Sequence, residues 1–96
     1  MTGAIGFIGL GVMGEPMCRN LAQKTGMTVF GFDRADEPLQ RLAAAGVKRA
    51  ASLAELAKQC DVIFMALPSG KHVQAVCEGE DGLLMHAEAR HIIVDL

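Results

Sequence analysis

Three glycines near the start of the chain stand at a spacing that suits the binding of phosphate groups. Gly9, Gly11 and Gly14 form the pattern G-x-G-x-x-G within the stretch GFIGLGVMG. In such a turn Gly9 allows a tight bend, Gly11 lets a pyrophosphate approach the backbone, and Gly14 lets the following helix pack closely on the preceding strand. The free N–H groups and the positive end of that helix then hold the negative charge. A chain with 11 glycines meets this spacing easily by chance, so the surrounding elements decide its meaning.

The elements around the turn satisfy the conditions for a dinucleotide site. A short apolar run over residues 5–8 predicts a buried strand before the turn, and the apolar spacing from Val12 onward predicts a helix after it. Asp33 lies 19 residues after Gly14, at the end of the next predicted strand. A carboxylate there accepts a hydrogen bond from the ribose 2′-hydroxyl of NAD and repels the 2′-phosphate of NADP. Arg34 could stack on adenine or pair with such a phosphate. NAD is therefore the expected cofactor, and use of NADP is left open.

Cofactor contacts are expected from the whole turn and from the end of the second strand. These residues are Gly9, Leu10, Gly11, Val12, Met13, Gly14, Asp33 and Arg34. Two plainer interpretations are also open. The glycines could join a strand to a helix without binding a ligand, and Asp33 could be a solvated carboxylate at a strand end.

Strand and helix alternate along the whole chain. Strands are predicted over residues 5–8, 27–32, 47–50, 62–67 and 91–96, and helices over 12–26, 36–46, 52–58 and 69–77. This alternation predicts an α/β domain over residues 1–96, with a Rossmann-like, doubly wound parallel sheet of about five strands and helices on both faces. Its ligand crevice is expected at the carboxyl ends of the strands.

Local signals refine the helices. Met13, Met17 and Leu21, with Cys18 and Ala22 beside them, are expected to form the apolar stripe of the first helix. Gly26 should close that helix as a cap. Asp36 is expected to be the N-cap of the second helix, with a proline in the first turn. The sequence SLAE over residues 52–55 has the form of a capping box.

Composition excludes several other classes. The net charge of −2, with nine dispersed lysines and arginines, gives no basic patch for nucleic acid. The three cysteines lack the spacing of a zinc site or a disulfide framework, so no metal is expected and a reducing, cytoplasmic location is predicted. No apolar run approaches the length of a membrane span.

The first stretch, GFIGLGVMGEPMCRNL, also resembles the N-terminal signature of the β-hydroxyacid dehydrogenases, the family of 3-hydroxyisobutyrate dehydrogenase and tartronate semialdehyde reductase. Further along, ALPSGKHVQAV resembles the family's cofactor loop and the helix after it. EGEDGLL is similar to a turn of the family, and HIIVDL to the strand before its substrate-binding motif. The resemblance therefore covers the whole chain.

This resemblance implies cofactor contacts at Leu67 and Pro68, and a weaker contact at His72. It implies an enzyme that transfers hydride between nicotinamide and a 3-hydroxy acid or its semialdehyde. The family's substrate-binding serine or threonine and its catalytic lysine would lie beyond Leu96, in or before an all-helical domain through which a homo-oligomer would form. No residue of this chain is therefore expected to be catalytic, and the segment by itself is expected to be inactive.

Other functions fit parts of the same pattern. An imine reductase or a 6-phosphogluconate-type dehydrogenase would have a similar N-terminal half. A non-catalytic dinucleotide-binding module is a second alternative. A methyltransferase fits less well, because its glycine loop usually has an acidic residue within it or just before it, whereas Ile8 precedes Gly9 here.

Overall fold

Strands and helices alternate through the parts of the chain that the computed structural model describes, residues 4–67, 70–78 and 91–96. The elements are β1 (Ala4–Ile8), α1 (Gly14–Lys24), β2 (Val29–Phe32), α2 (Asp36–Ala43), β3 (Lys48–Arg49), α3 (Leu53–Gln59), β4 (Cys60–Met65), α4 (Gly70–Glu78) and β5 (Ile92–Asp95). The strands form one parallel sheet in the order β3-β2-β1-β4-β5. The chain changes direction across the sheet between β1 and β4, so the predicted doubly wound, Rossmann-like fold is confirmed.

The central strand β1 is buried on both faces, as its unbroken apolar sequence predicts. Ile5 and Phe7 belong to a core cluster that includes Cys18 of α1 and Leu42 of α2. Ala4 and Ile8 point the other way, into a cluster that contains Leu56 and Ala57 of α3 and is packed against by α4. Because successive side chains of a strand alternate in direction, five residues are enough to hold helices on both faces.

The predicted apolar stripe of α1 is confirmed at Cys18, Leu21 and Ala22, which pack into the core, and is wrong at its two methionines. The side chain of Met13 is 74% exposed and that of Met17 is 39% exposed, whereas Gly14 and Cys18 are buried. The helix begins at Gly14, and this glycine packs directly against the carbonyl group of Gly9, the first residue after β1. That contact fixes which face of α1 lies on the sheet. At this end of the helix the buried face therefore passes through Gly14 and Cys18, one residue and about 100° beyond Met13 and Met17.

The start of α2 also differs from the prediction. Asp36 is the first residue of the helix, and Ala35 occupies the N-cap position. The carboxylate of Asp33 accepts a hydrogen bond from the Ala35 N–H at 2.9 Å. This bond bends the chain before Ala35, so the helix begins one residue earlier than predicted. Asp36 instead forms an ion pair with Arg49.

Two other helix ends agree with the sequence. Ser52 accepts a hydrogen bond from the Glu55 N–H at 3.1 Å, and Glu55 accepts one from the Ala51 N–H at 3.2 Å, which confirms a capping arrangement at α3. Gly26 follows the end of α1 with a φ of 70°, a conformation that favours glycine.

Strand β4 begins and ends two residues earlier than predicted. It starts at Cys60, which pairs with Ala4 of β1. Its last pairing is between Met65 and Ile8, so Ala66 and Leu67 already belong to the loop at the carboxyl edge. Pro68, which is predicted to contact the cofactor, lies outside the described residues, as does most of the predicted loop over residues 78–82.

Candidate dinucleotide-binding site

Two glycines of the turn after β1 are enclosed by backbone. Gly9 has a φ of 91°, and a Cβ atom there would lie 2.4 Å from the carbonyl oxygen of Ala66. A Cβ atom on Gly14 would lie 2.0 Å from the carbonyl oxygen of Gly9. Neither distance is possible for a real side chain, so these glycines let the turn, α1 and the end of β4 approach one another.

The third glycine faces open space. A Cβ atom on Gly11 would have no neighbour within 4 Å, and Gly11 itself is exposed. Val12 is 93% exposed and Met13 is 74% exposed beside it. The outer side of the turn is therefore accessible at the place where a pyrophosphate would approach.

Asp33 directly follows β2 and holds the turn by a direct hydrogen bond. Its Oδ2 atom accepts from the Leu10 N–H at 2.6 Å, while Oδ1 accepts from the Ala35 N–H at 2.9 Å. Leu10 is 2% exposed and its side chain lies in the core. The predicted cofactor contact at Leu10 therefore has neither an exposed side chain nor an unused N–H group. Asp33 keeps lone pairs for a ribose hydroxyl, because each carboxylate oxygen can accept more than one hydrogen bond.

A cleft of about 600 Å³ opens at the carboxyl ends of β1, β2 and β4, and we call it the main cleft. It brings together six of the residues predicted to bind the cofactor: Gly9, Gly11, Asp33, Arg34, Leu67 and His72. Its other lining residues are Ile8, Phe32, Ala66, Lys71, Ala75 and Val76. This is the position in which doubly wound sheets bind their ligands, at the point where the strand order reverses.

One charged residue of the main cleft is absent from the sequence prediction. Lys71 is exposed in the first turn of α4 and lines the cleft with Ala75, one helical turn later. His72 and Val76 repeat the same spacing. The i, i+4 relation between these residues could have indicated that one face of α4 lines the cleft.

A second cavity of about 540 Å³ lies between the turn, α1 and α2. Gly11 and Asp33 line both this cavity and the main cleft, so the two spaces adjoin at these residues. The remaining lining residues are Leu10, Val12, Glu15, Pro16, Arg19, Ala35, Pro38 and Arg41. Leu10 and Val12 thus lie at the second cavity, whereas Met13 and Gly14 line neither space.

Glu15 binds both arginines of the second cavity. Arg41 donates from Nη2 to Oε1 at 2.7 Å and from Nε to Oε2 at 2.8 Å, and Arg19 donates from Nη2 to Oε2 at 3.0 Å. The hydrogen bonds from Arg41, with a further contribution from Arg19, lower the pKa of Glu15 to about 2. Glu15 is therefore ionised at neutral pH, and it also stands in the first turn of α1, where a negative charge is favoured. Sequence reasoning missed this group. The i, i+4 spacing of Glu15 and Arg19 within α1 could have indicated their pairing, whereas Arg41 comes from a separate helix.

Other chemistry has little support in the described part of the chain. Its residues include no group of three or more side chains arranged to hold a metal ion, and none of its helices is both long and apolar enough to cross a membrane. Burial raises the pKa of the Cys18 thiol to about 12, so this thiol is a poor nucleophile.

Comparison with protein families identifies the domain. The family model described as the NAD binding domain of 6-phosphogluconate dehydrogenase matches residues 4–96. The chain belongs to this family. The match covers the glycine-rich turn, Asp33 and both sides of the main cleft in one continuous domain.

Similar proteins include enzymes of the predicted kind. The chain is 39% identical to 2-(hydroxymethyl)glutarate dehydrogenase of Eubacterium barkeri over 92 residues, which are 96% of this chain and 30% of the relative. It is 35% identical to the structure of 3-hydroxyisobutyrate dehydrogenase of Mycobacterium tuberculosis with L-serine. That match has a TM-score of 0.86 and covers 99% of this chain and 31% of the other. The resemblance to the β-hydroxyacid dehydrogenases is thus confirmed.

An imine reductase shares the fold. The structure of the Myxococcus stipitatus enzyme with NADP⁺ has a TM-score of 0.87 but is 19% identical, covering 97% of this chain and 31% of that chain. This likeness shows the fold alone. The chain spans about 30% of the length of the curated relatives that it matches.

Proposed function

We propose that this chain is the cofactor domain of an NAD-dependent β-hydroxyacid dehydrogenase and that it binds the dinucleotide in the main cleft. The adenosine ribose hydrogen-bonds to Asp33, and the pyrophosphate lies over Gly11 at the start of α1. Arg34, Leu67 and His72 contact the remaining parts of the cofactor, together with Pro68.

One observation carries the proposal: the three glycines differ in their surroundings. Gly9 and Gly14 are closed in by backbone, whereas Gly11 faces open space in the main cleft. A glycine-rich turn that served packing alone would have no use for a glycine at position 11, because a side chain fits there. A turn that admits a pyrophosphate needs it, since any Cβ substituent would occupy the space of the phosphate.

The whole protein, by this proposal, transfers hydride between nicotinamide and a 3-hydroxy acid or its semialdehyde. The cofactor supplies the hydride chemistry, and the residues of this chain bind and orient it. The catalytic lysine, the substrate-binding motif and the contacts of a homo-oligomer are proposed to belong to a following helical domain. We therefore expect no turnover of 3-hydroxy acids by the 96-residue chain on its own.

A cytoplasmic location is also proposed. Cys18, Cys60 and Cys77 all lie among the described residues and form no disulfide with one another. Thiols of this kind are typical of proteins in a reducing compartment.

The test is isothermal titration calorimetry of NAD with the folded chain and with Gly11→Val. We expect the parent chain to bind NAD and the variant to lose binding, because the isopropyl group fills the space above the turn. Circular dichroism and urea denaturation check that the variant stays folded, as the open surroundings of Gly11 predict. Unchanged affinity in Gly11→Val would refute the phosphate-binding role of the turn.

A further inference from the structure

We propose that Glu15 is a specificity-determining residue, which disfavours NADP by occupying the two arginines that line the second cavity beside Asp33. The inference rests on the proposed binding of NAD in the main cleft. It assigns a role in cofactor selection to three residues outside that cleft, Glu15, Arg19 and Arg41.

The position of the second cavity supports this role. Asp33 and Gly11 form the boundary between the two spaces. A ribose held by Asp33 has its 2′-hydroxyl at that boundary. A phosphate group on the same hydroxyl would project past Asp33 toward the second cavity, which has about 540 Å³ of room for it.

Two guanidinium groups line this cavity. The Arg41 side chain is 58% exposed and the Arg19 side chain is 37% exposed, so both are accessible to a ligand. A guanidinium fork suits a phosphate, to which it can donate two parallel hydrogen bonds. Judged by residue types alone, the cavity would favour a phosphomonoester.

The hydrogen bonds of Glu15 oppose that expectation. The fork of Arg41 is already engaged on both oxygens of Glu15, at 2.7 and 2.8 Å, and Arg19 donates to one of the same oxygens. The Glu15 side chain is 13% exposed and is thus held in place between the helices. A 2′-phosphate would have to displace this carboxylate or meet its negative charge, in addition to that of Asp33. NADP would therefore bind more weakly than NAD.

Removing the charge of Glu15 should release the arginines. In Glu15→Gln, a neutral amide replaces the carboxylate, and Arg41 can turn its fork to a 2′-phosphate. We expect the ratio of the dissociation constants, NADP over NAD, to fall about tenfold, since charge-assisted hydrogen bonds are roughly twice as strong as neutral ones. The probes are NAD and NADP, titrated by calorimetry into the parent chain and the variant.

Glu37→Gln is the matched control. Glu37 is also acidic, stands in the first turn of α2 and acts on Arg41 through its charge, but it lines neither space. The control should leave the ratio unchanged if hydrogen bonding to Glu15 is the cause. The double variant Glu15→Gln/Arg41→Gln should lose much of this gain in NADP affinity, because the guanidinium that held both oxygens of Glu15 is then absent.

The outcomes separate this inference from the proposed function. If the parent chain binds NAD and the ratio of the dissociation constants is the same in Glu15→Gln, the role of Glu15 is overturned and the proposed function stands. An equal fall of this ratio in Glu37→Gln also overturns the role of Glu15, because the effect would then come from the net charge of the protein. A parent chain that binds neither dinucleotide overturns the proposed function and this inference with it. Thermal unfolding of each variant confirms that the titrated protein is folded.

Discussion

The inner and outer sides of the glycine-rich turn differ in what surrounds them. On the inner side, Gly9 and Gly14 lie against backbone atoms, and Leu10 is buried in the core. On the outer side, Gly11 and Val12 face open space. A single short motif thus combines residues that the fold requires with residues that it leaves accessible. The order of the glycines in the motif predicts the same division, with Gly9 at the tight turn, Gly14 at the helix contact and Gly11 on the open side.

The largest expected effect is a loss of stability when a side chain is added on the closely packed inner side of the turn. In Gly14→Ala, the new Cβ atom would lie 2.0 Å from the carbonyl oxygen of Gly9, so α1 must move away from β1. We expect the free energy of unfolding to fall by about 3 kcal/mol, at the upper end for overpacked sites. Urea denaturation followed by circular dichroism measures it. Stability within about 0.5 kcal/mol of the parent would show that the inner side is not closely packed.

Gly11→Ala is the same substitution on the outer side. The added methyl group has no neighbour within 4 Å, so stability should change by less than about 1 kcal/mol. NAD affinity should fall about tenfold or more, because the methyl group intrudes on the space of the pyrophosphate. Calorimetry and urea denaturation of the two alanine variants, measured together, test the contrast. If Gly11→Ala lost as much stability as Gly14→Ala, the two sides of the turn would not differ in packing.

Asp33 connects the two sides, so its substitution should affect both. Asp33→Ala removes the acceptors of the Leu10 and Ala35 N–H groups, and we expect a stability loss of about 1–2 kcal/mol. It should weaken the binding of both dinucleotides by loosening the turn, and weaken NAD more than NADP, so that any preference for NAD narrows. The measurement is calorimetry with both dinucleotides.

Asp36→Asn provides the control for Asp33. Asp36 is a neighbouring carboxylate that is paired with Arg49 on the surface and lines neither cavity. Loss of the Asp36 charge should leave the affinities for NAD and NADP unchanged. If Asp33→Ala alters the preference without weakening the binding of NAD, the hydrogen bond to Leu10 does not position the turn.

The smallest effect concerns pH. Hydrogen bonds from Arg41 and Arg19 lower the pKa of Glu15 from 4.5 to about 2. A lowered pKa in the folded state stabilises the protein above the unfolded value, and this contribution is lost as the pH falls from 4.5 toward 2. The difference in stability between the parent and Glu15→Gln should therefore shrink over that interval. Urea denaturation at a series of pH values measures it, and a constant difference would contradict the pairing of Glu15.

Much of the fold could be predicted because the signals are local. Apolar runs, glycine stops and the capping sequence at Ser52 place the elements within a few residues, and their alternation predicts a parallel sheet. The predicted burial of Met13 and Met17 is wrong, because residue type favours burying methionine whereas both side chains are exposed. The contact of Gly14 with Gly9 determines which face of α1 is buried, and no apolar pattern in the sequence indicates this contact.

The candidate site was predicted in part for the same reason. Strand ends identified Asp33 and Leu67, since the carboxyl ends of parallel strands meet at one edge of a sheet. The bond of Glu15 to Arg41 depends on how α1 and α2 lie together, because these residues are 26 apart in the chain. Sequence spacing contains no signal for such a pair.

The hydrogen bond between Asp33 and Leu10 sets a practical limit on redesign of the domain. A protein engineer who exchanges Asp33 to admit NADP also removes the acceptor that holds the phosphate-binding turn, so gains in selectivity come with losses in affinity. Residues whose side chains do not contact the backbone of that turn are better places to begin.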